Sequence, residues 1–456
     1  MAVAGIDIAA TVREAGVVGA GGAGFPTHVK LANKVDTVIA NGAECEPVLE
    51  ADKYIMMRYA RDILRGMQSA MECVGAKTGV IAVKRKNQDA VAALNAEIAG
   101  SPGIRVEELG NYYPAGDELV LIRQVTGRIV PPGKLPFDVG VIVSNIATLK
   151  NIAAATEGRS VISRAVTVAG EVRRPFTGEI PVGTSIADCI THAGGTTVPQ
   201  TVIVVGGPVI GALADETDTV TKLTGGIIVL PHDHVVVQMK RQPVRLTKLL
   251  AKMCCTCQEC TILCPRNALG HPIFPAKIMS YAWHIDEILD RIELGDLDDF
   301  TERMVYESLL CCQCGVCELY ACIFGLSPNK VYALVSAAVR KSGLKVDFTK
   351  LPMHEGAMFD YRKLPALTLA RKLDLERYLV HTEFEEPGSF MPATVRIPLR
   401  QHIGIAAVAS VRTGDRVKEG ECIGTIPENA LGAAVHASID GVVKDVTDSA
   451  VTIVRE

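Results

Sequence analysis

The sequence predicts a multidomain chain of α/β and α+β modules, with a helical cysteine-bearing segment and a C-terminal all-β domain. Three observations carry this. The chain has 456 residues, enough for about three or four domains of ordinary size. Its apolar patterning changes character along the length, from alternating strand-like and helical runs to short strands broken by Gly turns. Five of the fourteen cysteines fall between residues 254 and 264, and five more between 311 and 322.

Composition excludes several function classes. Hydrophobic residues make up 48% and charged residues 21%, which rules out wholesale disorder. With 47 basic and 51 acidic residues the formal net charge is −4. Such a surface has no general attraction for nucleic acid or an anionic membrane. Aromatics are 5% with one Trp, too few for a base-stacking platform. No run of about 18 apolar residues predicts a membrane span. The N-terminal MAVAGIDIAATVREAG lacks a basic region leading into an apolar one, so no signal peptide is expected. The expected location is cytoplasmic.

The elements follow in order. In residues 1–160, TVIAN (37–41) and TGVIAVK (78–84) read as buried strands. Residues 51–75 have helical period and end at Gly75, a residue suited to a helix C-terminus. Residues 161–245 hold short Val-rich strands and one short helix, SIADCITHAGG, as a small α+β module. Residues 246–340 carry both cysteine stretches, joined by a helical segment from about Pro275 to Leu310. Residues 341–392 have several prolines and little pattern, and read as a wrapping linker. Residues 393–456 alternate in short strands around RTGDRV, KEGECIG and SIDGVV, which fits a small all-β domain.

The cysteine spacing carries the chemistry. Cys254, Cys257, Cys260, Cys264 and Pro265 reproduce the bacterial ferredoxin run in full. Cys311, Cys314 and Cys317 repeat the triplet, but Cys322 follows after four residues rather than three, and Ile323 replaces the usual Pro. Two [4Fe–4S] clusters are expected. Two zinc sites are the alternative, although a zinc ribbon needs CxxC pairs and would leave a third cysteine surplus. In two-cluster ferredoxins the fourth cysteine of each motif serves the other cluster. That rule pairs Cys322 with the first triplet and Cys264 with the second. Cys255 and Cys312 are off-register neighbours. Most of Cys45, Cys73, Cys189 and Cys422 read as small buried hydrophobes.

Gly19, Gly21, Gly22 and Gly24 precede Phe25-Pro26-Thr27. Glycines let a backbone approach a phosphate closely; a plain flexible loop is the alternative. Three further stretches bear on this. Asn41, Glu44 and Glu46 stand next to a strand end. Tyr113, Gly116, Asp117 and Glu118 form an acidic stretch after a Gly, and Asp117 and Glu118 would equally suit a helix cap. Asn145 and Thr148 supply an amide and a hydroxyl. His232 and His234 flank Asp233 and read as a polar turn before a strand.

Together these stretches resemble the flavin-binding fold of the NADH-oxidising flavoprotein subunit of respiratory complex I. They resemble even more the RnfC-like flavoproteins of the Rnf electron-transport complex and the cobalamin reductase type of propanediol-utilisation microcompartments. The resemblance spans nearly the whole chain. It implies a complex I-type FMN-binding α/β domain, an SLBB β-grasp module, a two-cluster ferredoxin-like domain and a barrel-sandwich hybrid. The last stands C-terminal in the cobalamin reductase type, as here, and no lysine near Ala433–Ser438 offers a lipoyl or biotinyl attachment.

By this resemblance the glycine loop with Phe25 and Lys30 would cradle a non-covalent FMN phosphate. Asn41, Glu44, Asn145 and Thr148 would line the flavin. Glu46, Tyr113, Gly116, Asp117 and Glu118 would hold the isoalloxazine and the incoming nicotinamide nucleotide. Ala20 stands where the complex I motif has Arg, and Asp117 where it has Glu. The implied activity is electron transfer from NADH through FMN and two [4Fe–4S] clusters to cob(III/II)alamin. An electron-transfer adaptor without a nicotinamide site is the second reading. The implied partners are NAD(H), cobalamin or a redox protein, a microcompartment shell and a cobalamin adenosyltransferase.

Overall fold

A computed structural model describes residues 7–243, 248–249, 251–356, 358–428 and 430–456. The expected boundary at 245–246 lies outside the described residues. The chain divides into two compact units. The first gathers the residues through Gly110, Gly140–His232 and Tyr378–Glu456; the second gathers Asn111–Val139 and Asp233–Arg377. Residues 111–139, expected within the first domain, therefore cluster with the cysteine segment.

The first unit opens with a four-stranded parallel sheet in the order Ile104–Leu109, Thr78–Lys84, Thr37–Gly42, Val141–Asn145. Two of these are the strands expected from TVIAN and TGVIAVK. Nearly every residue in them is buried, as in parallel sheets covered on both faces. The helix expected over 51–75 is two helices, Ala51–Arg58 and Ala60–Val74, broken at Tyr59 with φ −120° and ψ 31°. The second ends as expected at Gly75, which is left-handed at φ 75°.

A β-grasp follows. Its sheet runs Phe176–Pro181, Ser163–Gly170, Gly226–Pro231, Thr201–Val205, Ala212–Ala214. The helix Ile186–His192 starts where Ser185 accepts an N–H from Asp188. Phe176, Ile203, Ile227 and Val229 fill the core between them. The C-terminal domain is two small sheets, one of Thr394–Pro398, Ala450–Val454, Gly441–Val446 and Arg416–Val417, the other of Val408–Ala409, Cys422–Thr425 and Val435–His436. Ile397, Ile423, Val443 and Val451 pack between the sheets.

The second unit is mainly helical. Pro275–Tyr281, Ile285–Leu294, Asp299–Leu310 and Pro328–Ser342 pack around Ile278, Ile288, Ile292, Val305, Tyr332 and Val335. The segment read as a linker is more ordered than its prolines suggest. Leu364–Pro365 pairs with Tyr112–Tyr113 and leads into the helix Ala366–Lys372 in the second unit. Glu383–Phe384 adds an edge strand beside Phe176–Thr177 in the first. Such two-residue pairings carry no periodic signal. The VVV run after His234 forms the helix Val235–Arg241 rather than a strand, because the His234 imidazole caps it by accepting from Val236 N–H at 3.2 Å.

The helices Ala60–Val74 and Ile146–Thr156 cross at Gly66. A Cβ there would stand 1.8 Å from the Leu149 carbonyl oxygen. Gly66→Ala should push these helices apart and cost about 1–3 kcal/mol or more, as core overpacking does. The check is the urea midpoint of the variant, which should fall at an unchanged denaturant slope.

Candidate functional site

The glycine loop is built as a closed turn. Val18 and Pro26 form a β-bridge at its base, and Gly19 N–H donates to the Phe25 carbonyl at 2.9 Å. Gly22 at φ +131° lies in the glycine-favouring region, and a Cβ there would meet nothing within 4 Å. The loop face at Gly21 and Gly22 is thus exposed backbone with room beside it. The loop is tied down at Ala20, whose N–H donates to Thr148 Oγ1 at 2.9 Å.

Asn145 ends a sheet strand and caps the next helix, accepting from Ala147 N–H at 2.8 Å. Its Nδ2 donates to Asp52 at 3.1 Å and to the Asn41 carbonyl at 3.4 Å. Lys30 Nζ donates to the Val143 carbonyl at 3.0 Å. The structure therefore brings the glycine loop, Lys30, Asn41, Asn145 and Thr148 to the carboxyl end of the parallel sheet. Ligands of open α/β sheets bind there.

Two residues that the sequence did not single out belong to this place. Asp52 N–H donates to the Glu44 carboxylate at 3.3 Å. Burial first, then the Asp52 charge, pushes the Glu44 carboxyl up to about 8, and burial also raises Asp52. Arg164, from the β-grasp strand, donates to the Ala20 carbonyl at 3.0 Å and to the Thr224 carbonyl at 3.3 Å. Its Nη1 is buried with no partner. A guanidinium thus reaches the residue where the motif's own arginine is missing. Its only local signal was one Arg at the start of an apolar strand. An open glycine face, an orphaned guanidinium N–H and a helix N-terminus at Asn145 fit an anionic flavin phosphate.

Glu46 has partners in the β-grasp. Its carboxylate accepts from Val209 N–H at 2.7 Å and Ile210 N–H at 3.1 Å. A Cβ on Gly207 would stand 2.4 Å from its Oε2. Glu46 thus closes a β-grasp turn with its carboxylate. Tyr113, Gly116, Asp117 and Glu118 lie in the second unit. Asp117 caps the helix Glu118–Thr126 through Leu119 and Val120 N–H, both at 3.1 Å. Its other oxygen pairs with Arg266 Nη2 at 2.9 Å. Tyr113 Oη donates to the Cys314 carbonyl at 2.8 Å.

The two cysteine loops share one backbone design. The residues two and four after the first cysteine are left-handed in both: Thr256 at φ 54° and Gln258 at 65°, then Gln313 at 56° and Gly315 at 73°. Such turns aim successive N–H groups inward, as in backbone nests that bind anionic groups. Cys254, Cys257, Cys260 and Cys322 line one cavity, with Ala276, Met279 and Leu326 around them. Burial, then the Cys254, Cys322 and Cys257 thiols, pushes Cys260 up to about 12. Thiols set so ionise together only around a cation. Cys264 is buried and lies in the field of Cys312 and Cys311. Cys314 and Cys317 in turn lie in the field of Cys264. Each fourth cysteine thus sits with the other triplet. The extra residue before Cys322 is taken up by a π-helical turn at Cys317–Ala321, the form an inserted residue takes in a helix. Among the described residues no three His, Cys, Asp or Glu side chains crowd around a single-ion position.

Comparison with known proteins agrees with this geometry. Residues 12–154 match the Nuo51 FMN-binding domain, 165–212 the SLBB domain, 253–327 a 4Fe-4S dicluster domain and 388–455 the RnfC barrel sandwich hybrid domain. The cobalamin reductase PduS of Salmonella typhimurium is 40% identical over 460 aligned residues, covering 100% of this chain and 98% of that protein. Its counterpart in Citrobacter freundii is 40% identical, covering 97% and 95%. A component of the Na(+)-translocating ferredoxin:NAD(+) oxidoreductase complex of Acetobacterium woodii is 38% identical over 56% of each chain. The cofactors are accordingly FMN and two [4Fe–4S] clusters, and the chain is an oxidoreductase.

Glu46→Ala should act on stability, not on nucleotide affinity. It removes two hydrogen bonds to a charged acceptor, one from the buried Val209 N–H and one from the part-buried Ile210 N–H, a cost of about 2–3 kcal/mol. Denaturant unfolding should show that loss. A raised Michaelis constant for NADH at unchanged stability would instead restore the nucleotide role.

Proposed function

The chain belongs to the family of the cobalamin reductases PduS, and on that footing we propose that it oxidises NADH and delivers the electrons to cob(III/II)alamin. FMN, when bound, accepts a hydride and releases electrons singly, which lets a two-electron donor feed one-electron clusters. The residues of this chain position and insulate. The glycine loop, Lys30 and Arg164 hold the phosphate end. Thr148 ties the loop down at Ala20, and Asn41 and Asn145 hold the turns at the strand ends beside it. Glu44, protonated near neutrality, keeps a second negative charge away from the site. One cluster takes Cys254, Cys257, Cys260 and Cys322; the other takes Cys311, Cys314, Cys317 and Cys264. The observation that carries the reading is that a single chain combines a flavin cradle with two exchanged thiol sets. We place its action in the cytoplasm or inside a microcompartment, with shell proteins or an adenosyltransferase as neighbours. Among the described residues no helix is long and apolar enough to cross a membrane.

A second reading has one specific observation in its favour. Glu46 and Asp117, two of the three acids expected near the nucleotide, are engaged by protein groups. An adaptor that accepts electrons from a partner would need neither. Anaerobic mixing of the flavin- and cluster-loaded protein with NADH and cob(III)alamin separates the two. Bleaching of the flavin, with one NADH consumed per two cob(II)alamin formed, is expected. Flavin that dithionite bleaches and NADH does not would establish the adaptor.

The thiol exchange has its own test. Iron should total about eight atoms per chain. Cys264→Ser should perturb the electron paramagnetic resonance signal of the second-triplet cluster and spare the first, and Cys322→Ser the reverse. Damage confined to each variant's own triplet would reject the exchange.

A further inference from the structure

Arg266 follows Cys264 and Pro265 in the short helix Pro265–Ala268. Its side chain is 11% exposed. One arm of the guanidinium is held: Nη2 donates to Asp117 Oδ2 at 2.9 Å. Asp117 cannot swing away, because its Oδ1 caps the helix Glu118–Thr126. The other arm is free: Nη1 is buried and has no partner. After Asp117, the groups whose charge reaches Arg266 are the thiols of Cys312, Cys314 and Cys264. Tyr113, from the same segment as Asp117, anchors the Cys314 carbonyl. Among the described residues, the cavity of the first triplet is lined by its thiols, Cys255, Thr256, Gln258 and apolar residues, with no charged side chain.

We propose that Arg266, held by Asp117, is a positioning residue that raises the reduction potential of the cluster bound by Cys264, Cys311, Cys314 and Cys317. A [4Fe–4S] cluster gains one negative charge when it takes an electron. A buried guanidinium that cannot shed its proton stabilises the reduced form. Net charge and hydrogen bonds near the sulfurs are the levers that set such potentials. The two clusters are thereby made unequal, the second easier to reduce than the first. This rests on the thiol assignment proposed above.

Redox titration of the loaded protein, followed by electron paramagnetic resonance, tests it. The first-triplet cluster serves as the internal reference. Arg266→Gln should lower the second cluster's reduced-to-oxidised ratio at fixed potential at least tenfold, which is about 59 mV for one electron. Arg266→Lys, which keeps the charge but loses the fork, should lower it less. Asp117→Asn keeps the helix-capping oxygen and removes a negative charge, so it should move the ratio the opposite way. An unshifted second cluster in Arg266→Gln at full iron content, or equal shifts in both clusters, overturns the proposal. If Arg266→Gln loses iron, the signs in Arg266→Lys and Asp117→Asn decide; a shift of the same sign in both refutes it. Failure of the thiol assignment shows separately, as a second-triplet signal that survives Cys264→Ser in the otherwise unaltered protein.

Discussion

Two tight cysteine loops, each short of one thiol, complete each other in the second unit. Cys264 stands with the second triplet and Cys322 with the first. This exchange is the constraint on which the unit depends. It requires residues separated by a long insert to lie side by side. The insert meets that demand by folding back as helices, whose apolar faces at Ile278, Ile288 and Val305 bury against Tyr332 and Val335. The same requirement explains the π-helical turn before Cys322. An added residue would rotate that thiol by about 100° in a regular helix. The wider turn absorbs it.

In the first unit, order comes from a different source. A parallel sheet ends its strands in one row, and the chain must turn there. Asn41 and Asn145 stand in adjacent strands in that row. Their side chains bond the turns that follow, which leaves the glycine loop to be tied from Thr148 and Arg164. Acidic groups gather close by, with Glu44 beside Asp52. Two carboxylates so placed cannot both ionise cheaply. The site answers with two raised carboxyls and one guanidinium, so the excess negative charge stays small where an anionic cofactor must sit.

Some side chains have exchanged the roles their sequence context suggested. Asp117 follows a Gly and precedes Glu118, a pattern equally suited to a nucleotide site and to a helix cap. The cap is present, and the remaining oxygen goes to Arg266. Glu46 follows Glu44 by two residues in a stretch that resembles a flavin site, yet its partners are the Val209 and Ile210 amides. His234 stands before a Val run that promised a strand, and caps a helix. In each case the polar atom found a buried backbone donor or a charged partner. An unsatisfied group at that depth costs more than the alternative contact offers.

Local features were legible in the chain before any fold was known. The C-x2-C-x2-C spacing places three thiols around one cluster face, because only the few residues between them decide the turn. The apolar runs 37–41 and 78–84 became covered strands, and Gly75 ended its helix in the left-handed region. The modules could be ordered along the chain for the same reason. Other features depend on partners distant in the chain: the break at Tyr59, the edge strand at Glu383–Phe384, the transfer of residues 111–139 to the cysteine unit, and the arrival of Arg164 at Ala20. Periodicity and motif spacing report what a residue's neighbours in sequence demand. They carry no record of which distant carbonyl, carboxylate or thiol the fold will bring within about 3 Å.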